Sequence, residues 1–265
     1  MTVPQLTVSR FGEARTGKPL LVLVPGLGTS AAALWPETAA LLRQDFDLLA
    51  VDLPGHGRSP AAAEPFTVGE LAEAVDRAVR EAAGESGAHF YAGNSLGGAV
   101  GLQLAHDKPE RLAAVALICS GAALGDPASW RVRGATVQAQ GTPVMVDGSA
   151  RRWFAKDFIA AQPAVASRLL HSLSDTDRFS YAFCCEALAG FDLRGQLHDV
   201  RVPVLALYGD EDEVASEEVA ALVAGGVKDG SATGLPHVGH QAPAEAPAAT
   251  AEALREFFGR NGAAR

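Results

Sequence analysis

Apolar residues along this chain gather in short unbroken runs separated by stretches of helical spacing. Pro19 to Val24 is a continuous apolar run closed by Pro25-Gly26, the pattern of a strand buried on both faces. Trp35 to Gln44 carries apolar positions three and four apart and predicts a helix. Leu48 to Asp52 is a second strand-like run, closed by Pro54-Gly55. Thr67 followed three residues later by Glu70 is a capping box, which predicts a helix starting there and ending near Gly84. His89–Ala92, Ala113–Ile118 and Val202–Tyr208 are further strand candidates, and Ala99 to His106 has the composition of a helix. An early strand or hairpin is expected near residues 5–14, and a last helix over Ala244–Phe258. Strands that alternate with helices pair in parallel through right-handed crossovers, so the expected fold class is α/β.

The alternation stops between Gly121 and Val200. That stretch holds Trp130, Arg133, Arg151-Arg152-Trp153-Phe154 and Phe183-Cys184-Cys185 at helical spacing, with no convincing strand. It predicts a helical insertion over residues 121–200, set into a core made of residues 1–120 and 201–265. An insertion of that length is too long for an ordinary connection and suits a lid.

Composition narrows the partners more than the fold. The chain has 265 residues, 48% of them hydrophobic and 20% charged, which suits one large globular domain with an insertion. A net charge of −9 weighs against nucleic acid or an anionic membrane surface, yet leaves room for an anionic small molecule beside a local arginine. No apolar run approaches the roughly 20 residues a bilayer requires, and the start lacks a secretory pattern. Cys119, Cys184 and Cys185 offer no disulfide framework, so a reducing cytoplasm is expected. The scattered histidines lack metal-ligand spacing, so neither a metal nor another cofactor is expected.

Candidate chemistry centres on Gly93-Asn94-Ser95-Leu96-Gly97, a G-x-S-x-G element between a strand candidate and a helix candidate. A serine on such an elbow is exposed above a helix N-terminus, whose amides favour developing negative charge. The hydroxyl needs a base, and the base an orienting acid. Downstream, Gly209-Asp210-Glu211-Asp212 follows a strand candidate and Pro236-His237-Val238-Gly239-His240 precedes the last helix. Asp212 is the favoured acid, with Asp210 as the alternative; His240 is the favoured base, with His237 as its rival. Two amides are needed for an oxyanion, and Leu96 and Leu27 are the candidates, the latter in the turn Pro25-Gly26-Leu27-Gly28-Thr29.

With Asp52-Leu53-Pro54-Gly55-His56-Gly57-Arg58-Ser59 added, the sequence resembles the α/β-hydrolase superfamily, and that glycine-rich corner reads as structural. The stretches Gly125–Arg133, Arg152-Trp153-Phe154, Tyr181–Leu188 and Phe191-Asp192-Leu193, with Leu27-Gly28-Thr29 and Trp35, resemble the 3-oxoadipate enol-lactonases. That resemblance implies a mostly parallel sheet flanked by helices with an inserted helical cap. It implies opening of an enol-lactone ring in the β-ketoadipate route of aromatic breakdown, through an acyl-enzyme on Ser95 and without a cofactor. The substrate's free carboxylate then needs a partner, for which Arg133 is the candidate, with Trp130 and Trp153 walling the pocket. Arg152 is expected to face solvent or a salt bridge. Asn94 is similar to its counterpart in carbon–carbon hydrolases of ring-cleavage products, but the short first turn favours the lactonase. Another esterase or carbon–carbon hydrolase on the same residues is the alternative. A non-catalytic receptor of this fold is the alternative of a different class, and it need not keep nucleophile, base and acid together.

Overall fold

The apolar runs become the strands of one sheet in the computed structural model, which describes residues 3–15, 17–84 and 87–262. The strands are β1 (Val8–Arg10), β2 (Leu20–Val24), β3 (Asp47–Val51), β4 (His89–Asn94), β5 (Leu112–Ile118), β6 (Val204–Gly209) and β7 (Gly230–Leu235). They lie in the order β1-β3-β2-β4-β5-β6-β7. β1 is antiparallel to β3 and every other neighbouring pair is parallel. Parallel pairing requires crossovers that cover both faces. All six residues of the central β4 are accordingly buried.

The crossovers are α1 (Ala31–Leu34) and α2 (Pro36–Leu42) after β2, α3 (Val68–Ala83) after β3, and α4 (Leu96–Asp107) after β4. Between β5 and β6 the chain runs through α5 (Pro127–Gln140), α6 (Val146–Trp153), α7 (Phe158–Ala161), α8 (Pro163–Asp175) and α9 (Arg178–Ala189). Then follow α10 (Glu217–Gly226), α11 (Ala242–Glu245) and α12 (Pro247–Gly262). The α3 start is as the capping box dictates: Thr67 Oγ1 accepts the Glu70 N–H at 3.1 Å, and Glu70 accepts the Thr67 N–H at 2.8 Å. Gly84 ends it.

The helix expected over Trp35–Gln44 is α2, with Pro36 in its first turn, where the missing N–H costs no bond; the separate α1 precedes it. The early strand is β1, which pairs with β3. Two expectations need correction. The last helix divides at Pro247, with Ala246 out of the helical region at φ −133°. β4 extends two residues beyond Ala92, to the edge of Ser95. Among the described residues, no helix is long and apolar enough to cross a membrane.

Parallel pairing brings the C-terminal ends of β2, β4, β5, β6 and β7 to one edge of the sheet, where open α/β sheets gather their sites. Helices α5 and α6 supply the other wall of the cavity at that edge.

Candidate active site

Ser95 is held at φ 51° between β4 and α4. A side chain in that region is strained and persists only where its surroundings dictate it. Those surroundings are visible. A Cβ on Gly93 would lie 2.2 Å from the Gly97 carbonyl oxygen, and one on Gly97 would lie 2.6 Å from the carbonyl oxygens of Val24 and Pro25. The elbow therefore closes only with glycine at both positions. Ser95 N–H donates to Ile118 O at 2.8 Å, and Ser120 Oγ donates to Ser95 O at 2.7 Å.

The loops after β6 and β7 deliver the partners. His240 Nε2 is 2.9 Å from Ser95 Oγ, and His240 Nδ1 is 2.9 Å from Asp212 Oδ2. A carboxylate only accepts, so Nδ1 carries the proton and Nε2 is free to accept from the serine. Burial pushes the Asp212 carboxyl up, but it is outweighed by the adjacent His240 and by the Val214 and Ala215 amides, which hold it below its ordinary value. Asp210 instead accepts the His237 N–H at 2.6 Å, and the His237 side chain is 88% exposed. Of the two acids and two histidines weighed from sequence, the structure brings Asp212 and His240 to Ser95.

The backbone around this chain of hydrogen bonds is tied down from three sides. Asn94 Nδ2 donates to His240 O at 3.0 Å and to Ile118 O at 3.2 Å. His240 N–H donates to Trp153 O at 2.9 Å. The half-buried Glu245 carboxylate accepts the N–H groups of Ala155 at 2.7 Å, Gln241 at 2.9 Å and Gly239 at 3.2 Å. Glu245 thus joins the helical insertion to the His240 loop, a role invisible in the Ala/Pro-rich sequence around it.

Leu27 lines the cavity and Leu96 directly follows Ser95. Neither amide has an acceptor among the described residues, so both remain available to an incoming oxygen. The cavity measures about 720 Å³ and holds Ser95 and His240 together with Trp130, Arg133, Arg152 and Trp153. Arg133 Nε donates to Tyr181 Oη at 2.8 Å, and its guanidinium lies 5.4 Å from the Trp130 ring centre and 5.6 Å from that of Tyr181. No carboxylate pairs with Arg133 among the described residues. Burial raises the Tyr181 hydroxyl pKa, against the nearby Arg133 charge, so that hydroxyl is neutral.

Arg152 is exposed, as expected, and it also lines the cavity; its Nε donates to Gly148 O at 3.3 Å. Tyr181 and Glu213 also belong to this neighbourhood, Glu213 as a lining residue. Sequence inspection assigned neither a role, since only the packing of α9 on α5 brings Tyr181 to a residue 48 positions earlier.

Among the described residues, Cys119, Asp212 and His240 alone have ligand atoms close enough together to hold a metal. They fit one poorly. Asp212 and His240 are bonded to each other, and burial pushes the Cys119 thiol well above its ordinary pKa, which keeps it protonated.

Residues 19–133 match the family described as alpha/beta hydrolase fold. The chain is 31% identical over 211 residues to 3-oxoadipate enol-lactonase 2 of Acinetobacter baylyi, spanning 80% of this chain and 77% of that protein. It is 32% identical over 222 residues to a pimeloyl-acyl-carrier-protein methyl ester esterase of Vibrio atlanticus, spanning 76% and 80%. The crystal structure of an enol-lactonase from Burkholderia xenovorans superposes with a TM-score of 0.90 over 96% of both chains, at 28% identity.

Proposed function

Because this chain belongs to the alpha/beta hydrolase family, we propose that it opens 3-oxoadipate enol-lactone through an acyl-enzyme on Ser95. Residues 121–200 serve as the cap and residues 1–120 with 201–265 as the catalytic core. The observation that carries this reading is a single cavity containing both the Ser95–His240 pair and an Arg133 set over the Trp130 ring without a carboxylate partner among the described residues. The similarity to two Acinetobacter proteins named as enol-lactonases supports the choice of substrate.

In this reading His240 Nε2 takes the Ser95 proton as Oγ attacks the lactone carbonyl, and Asp212 stabilises the imidazolium that forms. The Leu27 and Leu96 amides hold the oxyanion; losing one such donor costs on the order of 100–1000-fold in turnover. The ring C–O bond breaks, and the enol oxygen leaves to become a ketone once its carbon is protonated. A water deprotonated by His240 then attacks the acyl-enzyme, releasing 3-oxoadipate and returning the proton to Ser95. The substrate carboxylate sits on Arg133, since an anion in a largely apolar site needs a paired cation. Trp130 and Trp153 form the walls. The partner is thus an anionic small molecule, with neither nucleic acid nor membrane involved, and three buried reduced cysteines favour a cytoplasmic setting.

A substrate panel tests the reading: the enol-lactone, simple methyl and p-nitrophenyl esters, and ring-cleavage dienoates. The lactone should be turned over fastest. A second reading, an esterase for another acyl group, draws on the similarity to the Vibrio esterase; it predicts the methyl esters foremost and little lactone turnover.

A further inference from the structure

We propose that His56, in the glycine-rich corner after β3, is a positioning residue that fixes the Leu27 amide towards the cavity by holding Gly28. The inference rests on the reading of Ser95 as nucleophile and Leu27 as oxyanion donor, and it gives the corner a part in catalysis.

The first turn after β2 must present one N–H to the substrate while its other amides stay occupied. Each amide from residue 28 to residue 31 has an acceptor. Gly28 N–H donates to His56 Nε2 at 2.9 Å, and Thr29 N–H to Gly26 O at 3.2 Å. Ser30 N–H donates to Ser172 Oγ at 2.9 Å, and Ala31 N–H to Asp52 Oδ1 at 2.7 Å. The Leu27 N–H has none among the described residues. His56 therefore acts on the peptide unit joined directly to Leu27, and sets the rotation of that residue.

Three features suit His56 to the task. It is fully buried, so water does not compete for its ring nitrogens. Its Nδ1 is 2.8 Å from Pro54 O, to which Nδ1–H donates; Nε2 is then left as an acceptor facing Gly28. Burial brings its pKa down to about 4, against the Pro54 carbonyl and the Asp177 charge, so the neutral ring persists. The corner that carries it is itself braced: Asp52 Oδ2 accepts the Arg58 N–H at 2.9 Å, Ser59 Oγ donates to Asp52 O at 2.7 Å, and Asp177 N–H of the insertion donates to Gly55 O at 2.9 Å. Asp52 and His56 thus grip the turn on one side of Leu27 from a common base.

The two amide replacements separate positioning from support of the corner. In His56→Asn the carboxamide nitrogen lies where Nδ1 was, keeping the Pro54 bond and losing Gly28. In His56→Gln the carboxamide oxygen reaches the Nε2 position and keeps Gly28. Turnover of p-nitrophenyl acetate, which has no carboxylate for Arg133, is measured with Ser95→Ala as control. His56→Asn should lower kcat on the order of 100-fold with KM within about threefold, while His56→Gln stays within about tenfold of the parent kcat. Equal activity of the two variants, a better Asn variant, or a loss confined to KM would overturn the proposal. Hydrolysis that survives Ser95→Ala would instead overturn the underlying reading, and this inference with it. Nitrogen NMR of the intact protein at pH 7 reads the ring directly, however the variants fold: the proton should be on Nδ1, and a proton on Nε2 alone overturns the assignment.

Discussion

At the scale of the residue, the proposed specificity turns on Arg133. Its guanidinium is held by Tyr181 Oη and by two aromatic rings, so it is oriented before any anion arrives. Arg133→Ala should lower kcat/KM for the enol-lactone by roughly 100-fold, about 3 kcal/mol for a charge-assisted pair. The same lactone carrying a methyl ester in place of its free carboxylate should lose less than about threefold; equal losses on the two would make Arg133 a packing residue. Part of this arrangement was legible beforehand, since Trp130 and Arg133 sit close together on one helix. Tyr181 was not, because nothing in a linear sequence marks which face of α9 meets α5. The acid was legible only as a cluster: Asp212 Oδ2 lies 2.9 Å from His240 Nδ1 while Asp210 accepts the His237 N–H, a distinction that spacing cannot make.

At the scale of elements, local signals were read well and tertiary ones poorly. The capping box of α3 and the elbow around Ser95 depend on neighbours within a few residues, and both stand as the sequence implies. β7 depends on a partner. Its sequence, Gly-Ser-Ala-Thr-Gly-Leu, has only Leu235 buried, so an edge strand paired to β6 leaves no apolar pattern to read. Glu245 is one of several ties between the insertion and the core, and its carboxylate serves three amides. Glu245→Ala leaves those half-buried donors without this acceptor, and should destabilise the protein by about 2 kcal/mol in urea unfolding. It should also reduce kcat, since the His240 loop loses its anchor. A change below about 0.5 kcal/mol would show that the joint is held elsewhere.

For the whole molecule, two buried rings couple stability to pH. Burial brings both His56 and His89 down from 6.5 to about 4. His89 receives opposing contributions from Arg111, which lowers it further, and Asp76, which raises it. Between those two values the unfolded chain binds more protons than the folded one, so stability falls as pH drops through the window and levels off below about 4. From pH 7 to pH 5 each ring should cost about 2 kcal/mol. Neither nitrogen of His89 has a hydrogen-bond partner among the described residues. His89→Leu should therefore raise stability at pH 7 by about 1 kcal/mol and remove about half of the acid sensitivity from this pair. Urea unfolding at the two pH values measures both effects; an unchanged difference between them would mean that His89 titrates normally. The overall α/β plan was the most legible level of all, because buried parallel strands must be continuously apolar. At the sheet's C-terminal edge the serine elbow was legible in the sequence, and the groups that hydrogen-bond around it less so.

The most direct test of the account is covalent. The protein is mixed with 3-oxoadipate enol-lactone, quenched in acid within milliseconds, digested and weighed by mass spectrometry. The account expects the peptide carrying Ser95 to gain the mass of one whole lactone, since ring opening on a serine releases no fragment. Ser95→Ala should show neither the adduct nor turnover. Lactone consumed at an undiminished rate by Ser95→Ala, or left untouched by the parent protein while simple esters are hydrolysed, would contradict it.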